Sequence, residues 1–221
     1  MLYQVENLGK AAAGKKSLFT DFHPCYNGRS GRPPALPAVC FSALRESGIY
    51  AFTEEFFMIV LGIDPGYALM GWGVVDVQGS RMRLIAYGCL ETKAGNPMWS
   101  RLRTLQLGIR DLLNIYKPDD VAFEELFFAR NVTTVLMVGA ARGAAIIAAA
   151  EYTENLYEYT PMQIKQAVTG YGKADKKQVQ QMVKLLLHLD DIPRPDDAAD
   201  AIACAITHAQ AGVAKKQFLM K

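Results

Sequence analysis

Asp64 closes the apolar run IVLGID, Glu124 lies inside VAFEE, and Asp197 and Asp200 stand three apart in DDAADAIA. Brought together in space, these four carboxylates would make a divalent-cation site able to hydrolyse a phosphodiester. The donors are hard oxygens without a His or Cys cluster beside them, which suits Mg²⁺ or Mn²⁺ and argues against zinc. In a two-metal arrangement the ions lie about 4 Å apart, one lowering the pKa of the attacking water and both offsetting charge on the phosphate. Like charges held so closely repel, so the ion-free site should be strained and metal binding should relieve it.

Each acid also has a quieter explanation. Asp64 sits at the end of a strand before Pro-Gly, where a carboxylate can simply accept turn N–H groups; Gly66 and Gly71 then serve the turn and a close backbone approach. Glu124 and Glu125 are adjacent on a strand and face opposite ways, so only one can enter a given cleft. The pattern leaves open which one does. Asp197 and Asp200 share one helical face near a helix start, where negative charge is favoured without any chemistry, and Asp196 lies about 100° away as part of the cap. Three acidic segments in combination favour a site over three separate coincidences.

Basic and aromatic residues complete a surface suited to nucleic acid. Arg130, Lys165, Lys173, Lys176 and Lys177 can neutralise phosphates, while Phe127 and Phe128 can place a ring against an unpaired base. Taken alone, KADKK reads as a solvated helix start and the phenylalanines as core. The formal net charge of +2 is too small to identify a nucleic-acid partner, so any phosphate-binding surface must be local.

The chain has 221 residues, 51% of them hydrophobic and 21% charged, values that fit one well-buried globular domain and exclude a disordered tail. Cys25, Cys40, Cys89 and Cys204 are too scattered for a zinc site or a disulfide framework. No apolar run is long enough to span a bilayer and no secretory signal precedes a cleavage site, so a cytoplasmic enzyme is expected.

Residues 1–57 carry scattered Gly and Pro without a sustained period, and read as a poorly ordered extension or as sequence upstream of a true start at Met58. The domain is expected over residues 58–212, followed by a short C-terminal tail at 213–221. Within it, IVLGID, GWGVVDV and RLIAYGCL read as an antiparallel meander. Leu102, Leu105, Ile109 and Leu112 mark an amphipathic helix stopped by Pro118. VAFEEL is an interior strand. A long helix through VTTVLMVGAARGAAIIAAAEYTEN is expected next, its small residues suiting either a buried central helix or a dimer face. LYEYT is a last short strand, followed by helices at PMQIKQAV, DKKQVQQMVKLLLHL and DDAADAIACAITHAQAG, the last closed by glycine. Strands in one sheet with helices on its faces make an α/β layer fold.

From Met58 to about Gly212 the chain resembles the bacterial Holliday-junction resolvases of the RuvC family. The segments that carry the likeness are GIDPGYALMGWGVV, VAFEELFFARN, GAARGAAIIAA, QIKQAVTGYGKADKKQVQQMV and PDDAADAIACAITHA, in the family order. The resemblance implies a ribonuclease-H-like α/β fold: a mixed five-stranded sheet with antiparallel first three strands and helices on both faces. It implies that Asp64, Glu124, Asp197 and Asp200 are the metal-binding catalytic acids, with Lys165 and Lys176 at the junction DNA and Phe127 stacking near unpaired bases at the crossover. It further implies a homodimer that nicks opposing strands of a four-way DNA junction symmetrically, using water and Mg²⁺ and leaving 5′-phosphate ends. The branch-migration proteins RuvA and RuvB are the partners it suggests. Two departures stand out: the 57-residue lead, and Glu125, where some members carry glutamine.

Overall fold

The β-prone run ending at Asp64 forms β1, Phe57–Asp64, in a computed structural model that describes residues 57–126 and 132–221. It pairs antiparallel with β2, Leu69–Gln78, which pairs antiparallel with β3, Arg81–Glu91. The remaining strands, β4 at Asp120–Glu124 and β5 at Leu156–Tyr159, run parallel to β1 and to each other, and the sheet order is β3-β2-β1-β4-β5. This is the expected α/β fold with a mixed five-stranded sheet and an antiparallel first half. Among the described residues, no helix is long and apolar enough to cross a membrane.

Helices cover both faces because the central strands are apolar on both sides. On one side, Leu61, Ile63, Trp72, Val74, Val121 and Phe123 pack with α1, Met98–Tyr116, and α2, Val132–Ala150. On the other, Val60, Val75, Ala122 and Tyr159 pack with α3, Pro161–Thr169, α4, Lys176–Leu186, and α5, Asp196–Ala211. Local signals set the helix ends. Lys117, left-handed at φ 47°, closes α1 just before Pro118. Thr160 with Gln163 and Asp175 with Gln178 form reciprocal capping boxes at α3 and α4, and Pro161 occupies the first turn of α3.

Three expectations change, the smallest being that α4 ends at Leu186 rather than Leu189, because His188 turns into the left-handed region at φ 51°. The long helix stops at Ala150 instead of running to Asn155, because Thr153 Oγ1 accepts the Asn155 N–H at 3.1 Å and the Asn155 amide donates to Asp119 O at 3.1 Å. Side-chain bonds of this kind offer the backbone an alternative to continuing the helix. The buried central helix is α5, whose residues from Ala198 to His208 all lie in the core except Asp200. By contrast, α2 buries Ala141, Ala145, Ala148 and Ala149 and leaves Leu136 and Ile147 exposed.

The segment after Gly212 is docked on the domain. A 3-10 helix at Gly212–Phe218 sets the Phe218 ring 4.8 Å from that of Tyr159, and the Met220 N–H donates to Leu156 O at 2.8 Å. Leu219 also bridges Tyr157, which covers part of the β5 edge. Beneath it lies a buried polar chain: Tyr159 Oη is 2.8 Å from His208 Nδ1, and His208 Nε2 is 2.8 Å from Asp120 Oδ2, to which Lys215 also pairs. Burial opposes ionisation of Asp120, but the bonds from His208 and Lys215 outweigh it and hold the carboxyl below its usual range.

Candidate active site

Strand alternation decides which acids can meet. In β1, Val60 packs on the α5 side while Leu61 and Ile63 pack on the α1 side, so Asp64 falls on the α5 side. Ala122 and Phe123 divide the same way in β4, which places Glu124 on the side of Asp64. Glu125 lies beyond the strand end, exposed, with its N–H donated to Tyr159 O at 2.8 Å. Because β1 and β4 are parallel neighbours with Ile63 opposite Phe123, both carboxylates emerge at one sheet edge.

Glycines bring the second pair of acids to that edge. On the α5 side of the sheet, Gly62, Gly71 and Gly73 leave no side chain under the helix. A Cβ on Gly62 would stand 2.2 Å from Ala201 O, and one on Gly71 would stand 2.0 Å from Asp197 O. The first turn of α5 therefore rests on backbone directly beside Asp64, since Gly71 is the β2 partner of Asp64. Gly62→Ala is expected to destabilise the fold by about 1–3 kcal/mol or more, because the contact is with helix backbone that cannot rotate away. Thermal or urea denaturation would check it, and a midpoint equal to the parent's would mean α5 can lift without cost.

The electrostatics show how closely these groups are coupled. Burial, followed by the charges of Asp200 and Asp197, pushes the Asp64 carboxyl up to about 7 against the partial relief of Lys176. Burial and then Asp64 and Asp200 push Glu124 up to about 8, with Lys165 and Lys176 opposing. Asp200 is also raised, foremost by burial, although Lys176 acts against this. The Lys176 ammonium lies 2.9 Å from Asp200 and 3.7 Å from Asp196, and Asp196 is held in turn by Arg194 at 2.7 Å. Asp196 is thus the first residue of α5, paired with bases, while Pro195 occupies the N-cap without a side-chain cap bond.

Among the described residues, no three Asp, Glu, His or Cys side chains form a ready cage around an ion. The donor set nevertheless fits a hard divalent cation: all-oxygen, mutually repelling, and with one lysine ammonium already lodged against Asp200.

Of the basic residues singled out in the sequence, Lys165 and Lys176 enter the field of Glu124. Lys173 and Lys177 stand exposed on the loop before α4 and in its first turn. Phe127 and Arg130 lie outside the described residues. Sequence reasoning missed Gly62 and Gly73, and it missed Thr92 and Arg101, which grip the turn after Asp64. Arg101 had a usable signal: a base in the first turn or so of a helix opposes the helix dipole, which suggests a partner elsewhere.

A family model described as "Crossover junction endodeoxyribonuclease RuvC" matches residues 60–208. The crossover junction endodeoxyribonuclease RuvC of Alkaliphilus metalliredigens is 49% identical over 164 residues, 74% of this chain and 100% of that protein. Its counterpart from Brevibacillus brevis is 55% identical over 153 residues, 69% of this chain and 92% of that one. Among solved structures, Thermus thermophilus RuvC in complex with a Holliday junction substrate shares 41% identity at a TM-score of 0.66, covering 69% of this chain and 93% of that chain. The yeast mitochondrial Holliday junction resolvase Ydc2, at 15% identity and a TM-score of 0.53, shares the fold; it covers 72% of this chain and 82% of that one.

Proposed function

This chain belongs to the RuvC family of crossover junction endodeoxyribonucleases, and on that footing we propose that it resolves four-way DNA junctions by metal-dependent hydrolysis at the edge formed by β1, β4 and α5. The enzyme is a structure-selective endonuclease. The observation that carries the assignment of the site is geometric: Asp64 and Glu124 leave the parallel neighbours β1 and β4 on the face covered by α5, whose opening turns carry Asp197 and Asp200 and rest on Gly71 beside Asp64.

In this reading Asp64, Glu124, Asp197 and Asp200 hold Mg²⁺, two ions per site, with Mn²⁺ able to substitute. Bound there, the metal supplies a water of lowered pKa and neutralises charge on the phosphate under attack. Water oxygen bonds to phosphorus as the bond to the 3′ oxygen breaks, leaving a 5′-phosphate and a 3′-hydroxyl. No side chain need act as nucleophile. Glu124 and Asp64, crowded and half-buried, are held towards the protonated form, and a bound cation would favour their ionised form by offsetting the repulsion between them. Lys176, which pairs with Asp200, and Lys165, which opposes the charge at Glu124, would be placed to meet phosphate oxygens.

Lys173, Lys177 and Arg130 extend the phosphate-binding rim, and Phe127 stacks on an unpaired base at the crossover. Lys177→Ala should weaken junction binding uniformly across sequences and reduce the slope of log affinity against log salt by about 1. A salt titration by fluorescence anisotropy reads this, and an unchanged slope would remove Lys177 from the DNA path. Paired cuts require two sites, so the working form is a homodimer; the exposed Leu136 and Ile147 on α2 support that helix as the joining face. RuvA and RuvB are the expected partners in the cell, and the proposed nuclease domain over residues 58–212 is joined by Phe57 at the start of β1 and by the docked segment after Gly212.

The test is Mg²⁺-dependent cleavage of a synthetic four-way junction, with the matching linear duplex as control, by the 221-residue chain and by one starting at Met58. Symmetric paired nicks confined to the junction are the expected result. Absence of nicks across several core sequences, with Mn²⁺ as well and with a folded dimer, would turn the assignment towards another substrate.

A further inference from the structure

The turn that follows Asp64 is held from outside the acidic cluster. Thr92, 6% exposed and one residue past β3, donates its hydroxyl to Tyr67 O at 2.7 Å and its backbone N–H to Ala68 O at 2.9 Å. Arg101 on α1 donates Nε to Thr92 Oγ1 at 2.8 Å and an Nη to Tyr67 O at 3.4 Å. Its guanidinium carbon lies 3.8 Å from the centre of the Tyr67 ring, within the range of a cation–π contact. The turn has no slack, since a Cβ on Gly66 would stand 1.8 Å from Leu69 O.

We propose that Arg101, acting with Thr92 through the backbone and ring of Tyr67, is a positioning residue that sets the Asp64 carboxylate for metal binding and cleavage. The proposal rests on the reading of Asp64 as a metal-binding acid. The physical need is plain. Asp64 is pressed by like charges from α5, and the strand that carries it ends immediately before this turn. Without an anchor, the carboxylate can relieve repulsion by swinging out with the turn. A planar guanidinium suits the task because it can stack on a ring and donate in its own plane at once, which an ammonium cannot do. Its position in the opening turns of α1, against the helix dipole, marks it as placed for this contact.

The test compares the full-length parent with Arg101→Ala, Arg101→Lys and Thr92→Val. Mn²⁺ binding to the DNA-free protein is followed by electron paramagnetic resonance, and single-turnover cleavage is measured at saturating junction alongside junction affinity. Loss of a group hydrogen-bonded directly to a metal ligand weakens metal binding or activity by about 10- to 100-fold, and Arg101 acts one step further out, so a loss of about 10-fold sets the scale. That loss is expected in Mn²⁺ affinity and in the saturated rate for both Arg101 variants, with junction affinity within about twofold of the parent. Thr92→Val keeps the buried shape and should move the same readouts in the same direction, so it decides the matter if Arg101→Ala does not fold.

Three results would overturn the proposal: parental Mn²⁺ affinity and rate in the variants; full rescue by lysine, which would mean that charge alone matters; or weaker junction binding with an unchanged saturated rate, which would make Arg101 a phosphate contact. A parent that binds Mn²⁺ but cuts no junction would count against the proposed function only, because the Mn²⁺ comparison still judges Arg101. A parent that binds no Mn²⁺ overturns both.

Discussion

Asp64→Asn should abolish junction cleavage and at the same time stabilise the ion-free protein. The two effects have one origin. Asp64 is a half-buried carboxyl pushed up to about 7 by loss of solvent and by Asp200 and Asp197, so its charge is costly whenever no cation is present. Removing that charge relieves Glu124, whose own rise to about 8 owes its second contribution, after burial, to Asp64. The amide cannot replace an anionic oxygen at a metal, and loss of electrostatic stabilisation at a reacting centre reduces rates by about 10²–10³-fold or more. Near pH 8 in EDTA the melting temperature should rise by at least about 3 °C, the response of a domain this size to roughly 1 kcal/mol. Single-turnover cleavage, junction affinity and a thermal scan together check the outcome, with affinity for the junction retained. A cleavage rate within a few-fold of the parent would remove Asp64 from the reaction. A lower melting temperature would mean that Asp64 is chiefly a satisfied turn residue.

The ion-free protein should lose stability as pH rises from about 4 to about 8. In the unfolded chain Asp64 and Glu124 titrate near their ordinary values of 3.8 and 4.5, whereas in the fold they titrate near 7 and 8. Below pH 4 both states hold the protons and no penalty arises. Between the two ranges the unfolded state releases protons that the folded state keeps, so unfolding gains ground with each step up in pH. Above pH 8 the full penalty is present, on the order of 4 kcal/mol for either acid taken alone before screening by solvent and the nearby lysines. Lys165 and Lys176 moderate it and Asp197 and Asp200 add to it. Asp120, lowered by His208 and Lys215, works in the opposite sense, and its contribution is lost only as pH falls below about 4. Mg²⁺ should reverse the decline, since an ion bound only by the folded state stabilises it by mass action. Denaturant midpoints at pH 5 and pH 8, with EDTA and with Mg²⁺, measure both halves. A flat profile in EDTA, or a profile in Glu124→Gln that matches the parent, would show that the acids are not crowded in solution.

Much of the fold is legible in the sequence. The antiparallel meander, the amphipathic spacing from Leu102 to Leu112 and the stop at Pro118 all depend on neighbours within a few residues, and the structure has each of them. The capping boxes of Thr160 with Gln163 and Asp175 with Gln178 are just as local, although the sequence reading did not single them out. The end of α2 was misjudged because it depends on Asn155 bonding to Asp119, a partner far along the chain. The role of α5 as the buried helix was hidden by its composition. Alanines look like a weak core until glycines on two strands let the helix reach the sheet backbone.

The sequence by itself determined which residue types were available for chemistry, the elements that carry them, and the family order of the five motifs. The family resemblance pointed to Glu124 over Glu125, and the tertiary structure supplies the physical reason, since the side of β4 that meets α5 is the side that faces Asp64. The tertiary structure alone placed Lys176 on Asp200 and Arg101 on the turn after Asp64, contacts that join separate elements. Local periodicity is written in adjacent residues. The field felt by a carboxylate comes from charges a few ångströms away, and strand pairing and helix approach determine which charges those are.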